Sequence, residues 1–214
     1  MSHEKKKTSE EVVSGVSRRD FLSTAGLGVV GLATVGPSRE KESPEDDRVV
    51  APGQRIPVVL NINGKDHRLL VESRWSLLFA LREQIGLTGS KHGCGRGECG
   101  SCTVLIDDVP RYACMTLAVE AENVAVTTVE GLLDREQLGS VQHAFAETDA
   151  FQCGYCTPGQ VMAVEGLLRA HPDPSLDEIR LGVSGNLCRC GAYSNIFKAA
   201  KQAALARRKI GGTS

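Results

Sequence analysis

Four cysteines between residues 94 and 114 are spaced to hold an inorganic core. They stand as Cys94-x4-Cys99-x2-Cys102, with eleven residues before Cys114, the C-x4-C-x2-C…C pattern of plant-type [2Fe–2S] ligation. Three thiolates that converge on one small core force the backbone to curl tightly around it. Gly93, Gly95, Gly97 and Gly100 are threaded through that curl, where glycine permits left-handed turns and keeps Cβ atoms away from the sulfides. Structural zinc fits less well, because it more often uses two CxxC knuckles. Eight cysteines, an even number, also allow a disulfide framework. Gly95 to Gly100 is formally GxGxxG, but that phosphate loop needs a strand before it and a helix after it, and here the order is reversed. A Rieske centre needs two histidines, and His92 alone does not supply them.

A second set follows: Cys153-x2-Cys156 and Cys188-x-Cys190, each ahead of a helical stretch. Helix N-termini facing one point would offer free N–H groups and partial positive charge to an anionic thiolate cluster. By spacing alone, zinc and iron–sulfur both fit these four thiols. The neighbouring ferredoxin-type loop favours iron–sulfur, and with four cysteines in each set no thiol is left over.

The elements around these residues give an α+β chain, with a β-grasp ferredoxin-like domain over 56–130 and an all-α, four-helix [2Fe–2S]-binding domain over 131–210. Ile56 to Ile62 alternates and meets Asn63-Gly64, a hairpin signal, with His67 to Glu72 as the return strand. Ser76 is placed to cap an amphipathic helix over Leu77 to Arg82, ended by Gly86 and Gly89. Thr103 to Ile106 is a strand, Asp107-Asp108 a turn, and Arg111 to Thr116 a strand that carries Cys114. Val124 to Val129 completes the sheet. Helical patterns then cover Val141 to Glu147, Gly159 to His171, Ser175 to Val183 and Tyr193 to Arg208, with Pro158 suited to a first turn. Forty-one per cent apolar but only 4 per cent aromatic residues make thin cores, which metal clusters can staple. A net charge of −1 supplies no field to draw the chain to nucleic acid.

Residues 1–36 resemble an export leader. Ser17-Arg18-Arg19-Asp20-Phe21-Leu22 precedes an uncharged run, the twin-arginine arrangement. That run is interrupted by Gly26, Gly28 and Gly31 and falls short of the roughly 20 residues a stable membrane span needs. Residues 37–55, rich in Pro, Glu and Asp, read as a solvated linker. A periplasmic destination reached already folded explains how an exported chain keeps metal clusters in an oxidising compartment. His3, His67, His143 and His171 read as ordinary surface histidines, and His92 as a solvated loop residue. Lys198, Lys201, Arg207, Arg208 and Lys209 give the last helix a basic end that suits its dipole.

Three motifs together carry a family resemblance: Lys91-x-Gly93-Cys94-Gly95-x-Gly97-x-Cys99-Gly100-x-Cys102, then Gln152-Cys153-Gly154-Tyr155-Cys156-Thr157-Pro158-Gly159, then Gly185-Asn186-Leu187-Cys188-Arg189-Cys190-Gly191-Ala192-Tyr193. Over residues 55 to 208 the chain resembles the iron–sulfur subunit of molybdenum hydroxylases, the xanthine dehydrogenase and aldehyde oxidoreductase family. With the leader, it resembles most the small subunits of periplasmic aldehyde oxidoreductases. The resemblance implies electron relay through two [2Fe–2S] clusters. Cys153, Cys156, Cys188 and Cys190 would hold the one beside a molybdopterin cytosine dinucleotide in a large partner subunit. Cys94, Cys99, Cys102 and Cys114 would hold the outer one, which passes electrons to an FAD-binding subunit or another acceptor. Gln152 and Cys190 would touch the pterin cofactor, and no substrate-converting centre would lie on this chain. The competing expectation is a free-standing periplasmic ferredoxin, which needs only the first cysteine set.

Overall fold

Alternating side chains make the first hairpin. In β1 (Arg55–Ile62), Val58, Leu60 and Ile62 point inward and are buried. β2 (Lys65–Glu72) pairs antiparallel along its whole length, from Arg55↔Glu72 to Ile62↔Lys65. Asn63 and Gly64 both adopt positive φ, 54° and 75°, the geometry a two-residue hairpin loop demands. This computed structural model describes residues 50–133, 135 and 137–211, so the twin-arginine stretch and most of the linker lie outside the described residues.

β3 (Thr103–Ile106) and β4 (Val109–Tyr112) form a second hairpin around Asp107 and Asp108. That turn places two aspartates at positive φ, and the Asp107 carboxylate accepts the Ala125 N–H at 2.9 Å. β5 (Ala125–Thr127) joins the two hairpins, parallel to β1 and antiparallel to β3. The mixed sheet runs β2-β1-β5-β3-β4. Leu77, Leu78, Ala80 and Leu81 pack on it with Val71, Val104 and Val126.

The capped segment departs from the regular helix expected over Leu77 to Arg82. Ser76 does accept the Phe79 N–H at 3.2 Å, but only Leu77–Phe79 (α1) is α-helical. Ala80–Ile85 widens into a π-helical stretch ended by Gly86 at φ 84°. The Leu81 carbonyl takes both the Gly86 and the Leu87 N–H, a closure that needs the left-handed glycine. The wider turn brings the Arg82 guanidinium onto the Thr88 and Ser90 carbonyls, at 2.9 and 2.8 Å. It therefore tethers the stretch that leads into the cysteine loop.

Cys114 is not on a strand. β4 stops at Tyr112, where the Met115 N–H closes a turn on the Tyr112 carbonyl, and the Ala113 N–H donates to the Cys102 carbonyl. Leaving the ladder is what lets Cys114 face Cys102.

Beyond residue 130 the described chain is helical: α2 (Ser140–Glu147), α3 (Thr157–Ala170), α4 (Leu176–Gly182) and α5 (Tyr193–Gly211). Pro158 sits in the first turn of α3. Ser175 caps α4, and Glu178 accepts back from the Ser175 N–H and hydroxyl, both at 2.7 Å, a capping box. The core beneath these helices uses small residues. Ala199, Ala200, Ala203 and Ala204 of α5 are fully buried against Val141, Phe145 and Leu168. The basic end of α5 is occupied within the fold: Lys201 and Arg208 share Asp173, and Arg207 pairs with the buried Glu165 of α3. Among the described residues, no helix is long and apolar enough to cross a membrane.

Candidate metal centres

The loop that leaves the π-helical stretch is closed by the Lys91 N–H on the Ser101 carbonyl at 3.0 Å. Within it Gly95, Gly97 and Gly100 have φ of +67°, +78° and +69°, so successive peptide N–H groups turn inward. The Arg96 and Glu98 N–H groups reach Cys94 Sγ at 3.5 and 3.2 Å, and the Cys94 N–H reaches Cys99 Sγ at 3.4 Å. A Cβ at Gly93 would stand 2.7 Å from Cys99 Sγ, which is why that position carries no side chain.

Across the loop Cys94 lies within hydrogen-bonding reach of Cys99, and Cys102 of Cys114. The second set gathers in the same manner, with Cys153 beside Cys190 and Cys156 beside Cys188. Cys156 caps α3. Cys188 Sγ accepts the Ala192 N–H at 3.4 Å, and the Cys188 N–H donates to the Tyr193 hydroxyl at 2.8 Å. All eight are free thiols, against a disulfide framework. Among the described residues, no three or more His, Cys, Asp or Glu side chains converge as the ligands of a single ion. Each quartet offers two facing pairs of thiols, the grouping a two-iron core would need if each iron takes two thiolates.

The electrostatics agree. The Arg96 N–H, set against burial and helped by the Glu98 N–H, brings the Cys94 thiol down to about 7, well below its ordinary range. Burial pushes Cys102 up to about 12, with the nearby Cys114 and Cys99 sulfurs adding to it. Cys156 is likewise pushed up to about 12 by burial and by Cys188. A buried thiol that resists ionising alone needs a cation to stabilise its thiolate. The exposed Cys153 is lowered by the Tyr155 N–H and by Cys190.

A test follows for the metal-free chain. Because the folded-state pKa of Cys94 is depressed, its thiolate is favoured above about pH 7 and lost as pH falls through that value. Iodoacetamide should therefore modify Cys94 half-maximally near pH 7, mapped by mass spectrometry, while Cys102 stays unmodified to the most alkaline conditions the fold survives. Equal reactivity of the two would contradict the loop geometry.

The quartets touch through their loops. The Leu187 N–H donates to the Cys99 carbonyl at 2.9 Å. The Tyr155 hydroxyl reaches the His92 carbonyl at 2.7 Å, and the Tyr112 hydroxyl the Gly185 carbonyl at 2.9 Å. Sequence reasoning missed these bridges. His92 serves through its backbone, and Tyr112 carries no pattern of its own. Cys153 and Cys190 form the exposed edge of the second quartet, and the exposed Phe151, Tyr155 and Leu187 lie within three residues of one or the other in sequence. Gln152 is exposed beside them, and its side-chain amide takes no partner among the described residues.

Two thiolate quartets, one on a glycine loop behind a mixed sheet and one at helix N-termini, define a two-centre iron–sulfur protein. The chain matches the 2Fe-2S iron-sulfur cluster binding domain over residues 60–128 and the [2Fe-2S] binding domain over 128–201. It is 39% identical over 204 residues to the aldehyde oxidoreductase iron-sulfur-binding subunit PaoA of Escherichia coli O157:H7, covering 88% of each chain. The nicotinate dehydrogenase small FeS subunit of Eubacterium barkeri is 42% identical over 149 residues, covering 70% of this chain and 95% of that one. The solved quinoline 2-oxidoreductase from Pseudomonas putida 86 superimposes with a TM-score of 0.70 at 46% identity, covering 73% of this chain and 98% of that one. This chain belongs to the iron–sulfur small subunits of the molybdenum-hydroxylase-type oxidoreductases.

Proposed function

We propose that this chain relays electrons from the molybdenum centre of a periplasmic aldehyde (or related) oxidoreductase through two [2Fe–2S] clusters to a flavin subunit or another acceptor. The observation that carries the reading is the pair of thiol quartets whose loops meet, with the Leu187 N–H on the Cys99 carbonyl and an edge of the second quartet open. A [2Fe–2S] cluster in each quartet would take up and pass on one electron at a time.

Cys153, Cys156, Cys188 and Cys190 hold the inner cluster, and the exposed Phe151, Tyr155 and Leu187, close to Cys153 and Cys190 in sequence, seat the large molybdopterin-binding subunit. Cys190 and the unpartnered amide of Gln152 then meet its molybdopterin cytosine dinucleotide. Cys188 and Cys156 lie on the inward side. Cys94, Cys99, Cys102 and Cys114 hold the outer cluster, and peptide N–H groups on the Cys94 and Cys99 sulfurs stabilise its added negative charge. An FAD-binding subunit is the receiver in this reading.

The β-grasp form of the 56–130 domain, the four-helix form of 131–210, the 1–36 leader and the 37–55 linker complete the proposal. Export by the twin-arginine route rests on the Ser17-Arg18-Arg19-Asp20-Phe21-Leu22 run alone, and aldehyde chemistry on the likeness to the aldehyde oxidoreductase subunit. It covers more of the chain than residues 50–214 provide. The test is purification from the periplasm of a native host. The expected product is a complex with a large molybdenum subunit, with about four iron and four acid-labile sulfides per small chain and two distinct paramagnetic signals on reduction. A lone monomer would favour the free ferredoxin, and zinc without sulfide would end both readings.

A further inference from the structure

Between the two quartets lies a buried amide that the relay does not otherwise need. Asn186 is 4% exposed. Its Nδ2 donates to the Gly100 carbonyl at 2.9 Å and to Thr103 Oγ1 at 3.0 Å, so one side chain grips both ends of the turn that carries Cys102. Thr103 Oγ1 in turn donates to the Gly100 carbonyl at 2.6 Å, which leaves its lone pairs facing the amide. Asn186 is itself held on both sides: its N–H donates to the Val183 carbonyl at 3.0 Å, and its carbonyl accepts Gln160 Nε2 at 2.7 Å. Gln160 is fully buried, and its Oε1 has no partner among the described residues. The fold tolerates an orphaned acceptor where the same amide's N–H secures Asn186.

Only an amide fits this role among uncharged side chains of that size. It presents two N–H groups in a fixed fork, a hydroxyl presents one, and a carboxylate presents none. Space is matched too, since a Cβ at Gly100 would meet Asn186 Cγ and Nδ2 at 2.7 Å. The residue after Asn186 is Leu187, whose N–H rests on the Cys99 carbonyl, and the next is the ligand Cys188. Cys99 and Cys188 are therefore joined by short covalent runs on either side of one hydrogen bond. Electron tunnelling falls off gently along bonded and hydrogen-bonded contact and steeply across a gap.

We propose that Asn186 is a positioning residue for transfer between the two centres: by clamping its loop onto Gly100 and Thr103 it holds the Leu187 N–H on the Cys99 carbonyl and sets the rate of crossing. This rests on the relay reading above. The test uses the full chain with its co-purified partner and the variants Asn186→Leu, of similar size without donors, and Thr103→Val, which removes one acceptor. Pulse radiolysis with methyl viologen radical injects a single electron, and its redistribution between the clusters is read from the visible absorbance.

Asn186→Leu should keep both paramagnetic signals and its iron, slow the redistribution at least about tenfold, and change the splitting that the two fully dithionite-reduced clusters impose on each other. Thr103→Val should show a smaller slowing. Wild-type timing and splitting in both variants overturns the proposal, as does wild-type behaviour of Thr103→Val alone where Asn186→Leu loses iron. Absence of two clusters from the wild-type protein would instead sink the relay reading.

Discussion

Replacing Cys156 by serine should cut the iron content from about four to about two per chain, halve the visible absorbance and remove one of the two paramagnetic signals. Replacing Cys99 should remove the other. Each variant strips a thiolate from one facing pair, Cys156–Cys188 or Cys94–Cys99, and leaves the other quartet untouched. The consequences should differ. Cys156 stands at the N-cap of α3, in contact with the core that contains Val161 and Ile196, so losing that cluster also removes its binding energy from the helical part. Cys99 sits in a loop held by its own glycine turns and by Arg82, so its variant should unfold closer to wild type. Substrate-driven reduction of the acceptor should stop in both. Iron analysis and low-temperature resonance decide the matter: two surviving signals, or the same signal lost in both variants, would contradict the two separate quartets.

The second large effect is steric. Gly159 lies in the first turns of α3, where glycine to alanine ordinarily stabilises a helix by about 0.5–1 kcal/mol. Here the sign should reverse. An added Cβ would stand 2.3 Å from the Gly100 carbonyl oxygen and 3.0 Å from Ser101 Cα, and both are backbone atoms fixed by the cysteine loop. Overpacking against groups that cannot yield costs about 1–3 kcal/mol, so Gly159→Ala should lower the thermal midpoint by about 5–10 °C. Gly154→Ala is the control. It has φ +80° but open space around its Cβ, so only backbone strain of about 1 kcal/mol applies. Calorimetry showing the control to be the more damaged variant would refute the close approach of α3 to the loop.

The strands and the cysteine loop were legible because each depends on neighbours in sequence. Alternation placed β1, Asn63-Gly64 fixed the turn, and Thr103 to Ile106 is the strand the sequence implies. The glycines at 95, 97 and 100 announced left-handed turns, and they are there. The failures are equally physical. No local signal separates an α from a π turn at Ala80–Ile85, because the difference is which carbonyl accepts the Gly86 N–H. β propensity ran past Tyr112, whereas a backbone bond from Ala113 to Cys102 ends the strand and frees Cys114. The basic end of α5 was legible as one that suits the helix dipole, but no local signal pairs Lys201, Arg207 and Arg208 with Asp173 and Glu165, which are distant in sequence.

By itself, then, the sequence determined the chemistry: eight thiols in two spaced sets, glycines where a sulfur-lined loop must curl, and proline and serine where helices begin. Ligand spacing is a local covalent constraint, and short-range rules reach it. Only the tertiary structure decided how the sets are joined, which pair in the helical set faces outward, and that Asn186, Tyr112, Gly159 and Gly185 make the contact between them. Those contacts link residues far apart in the chain through backbone carbonyls and missing Cβ atoms, which leave no periodic trace in the sequence.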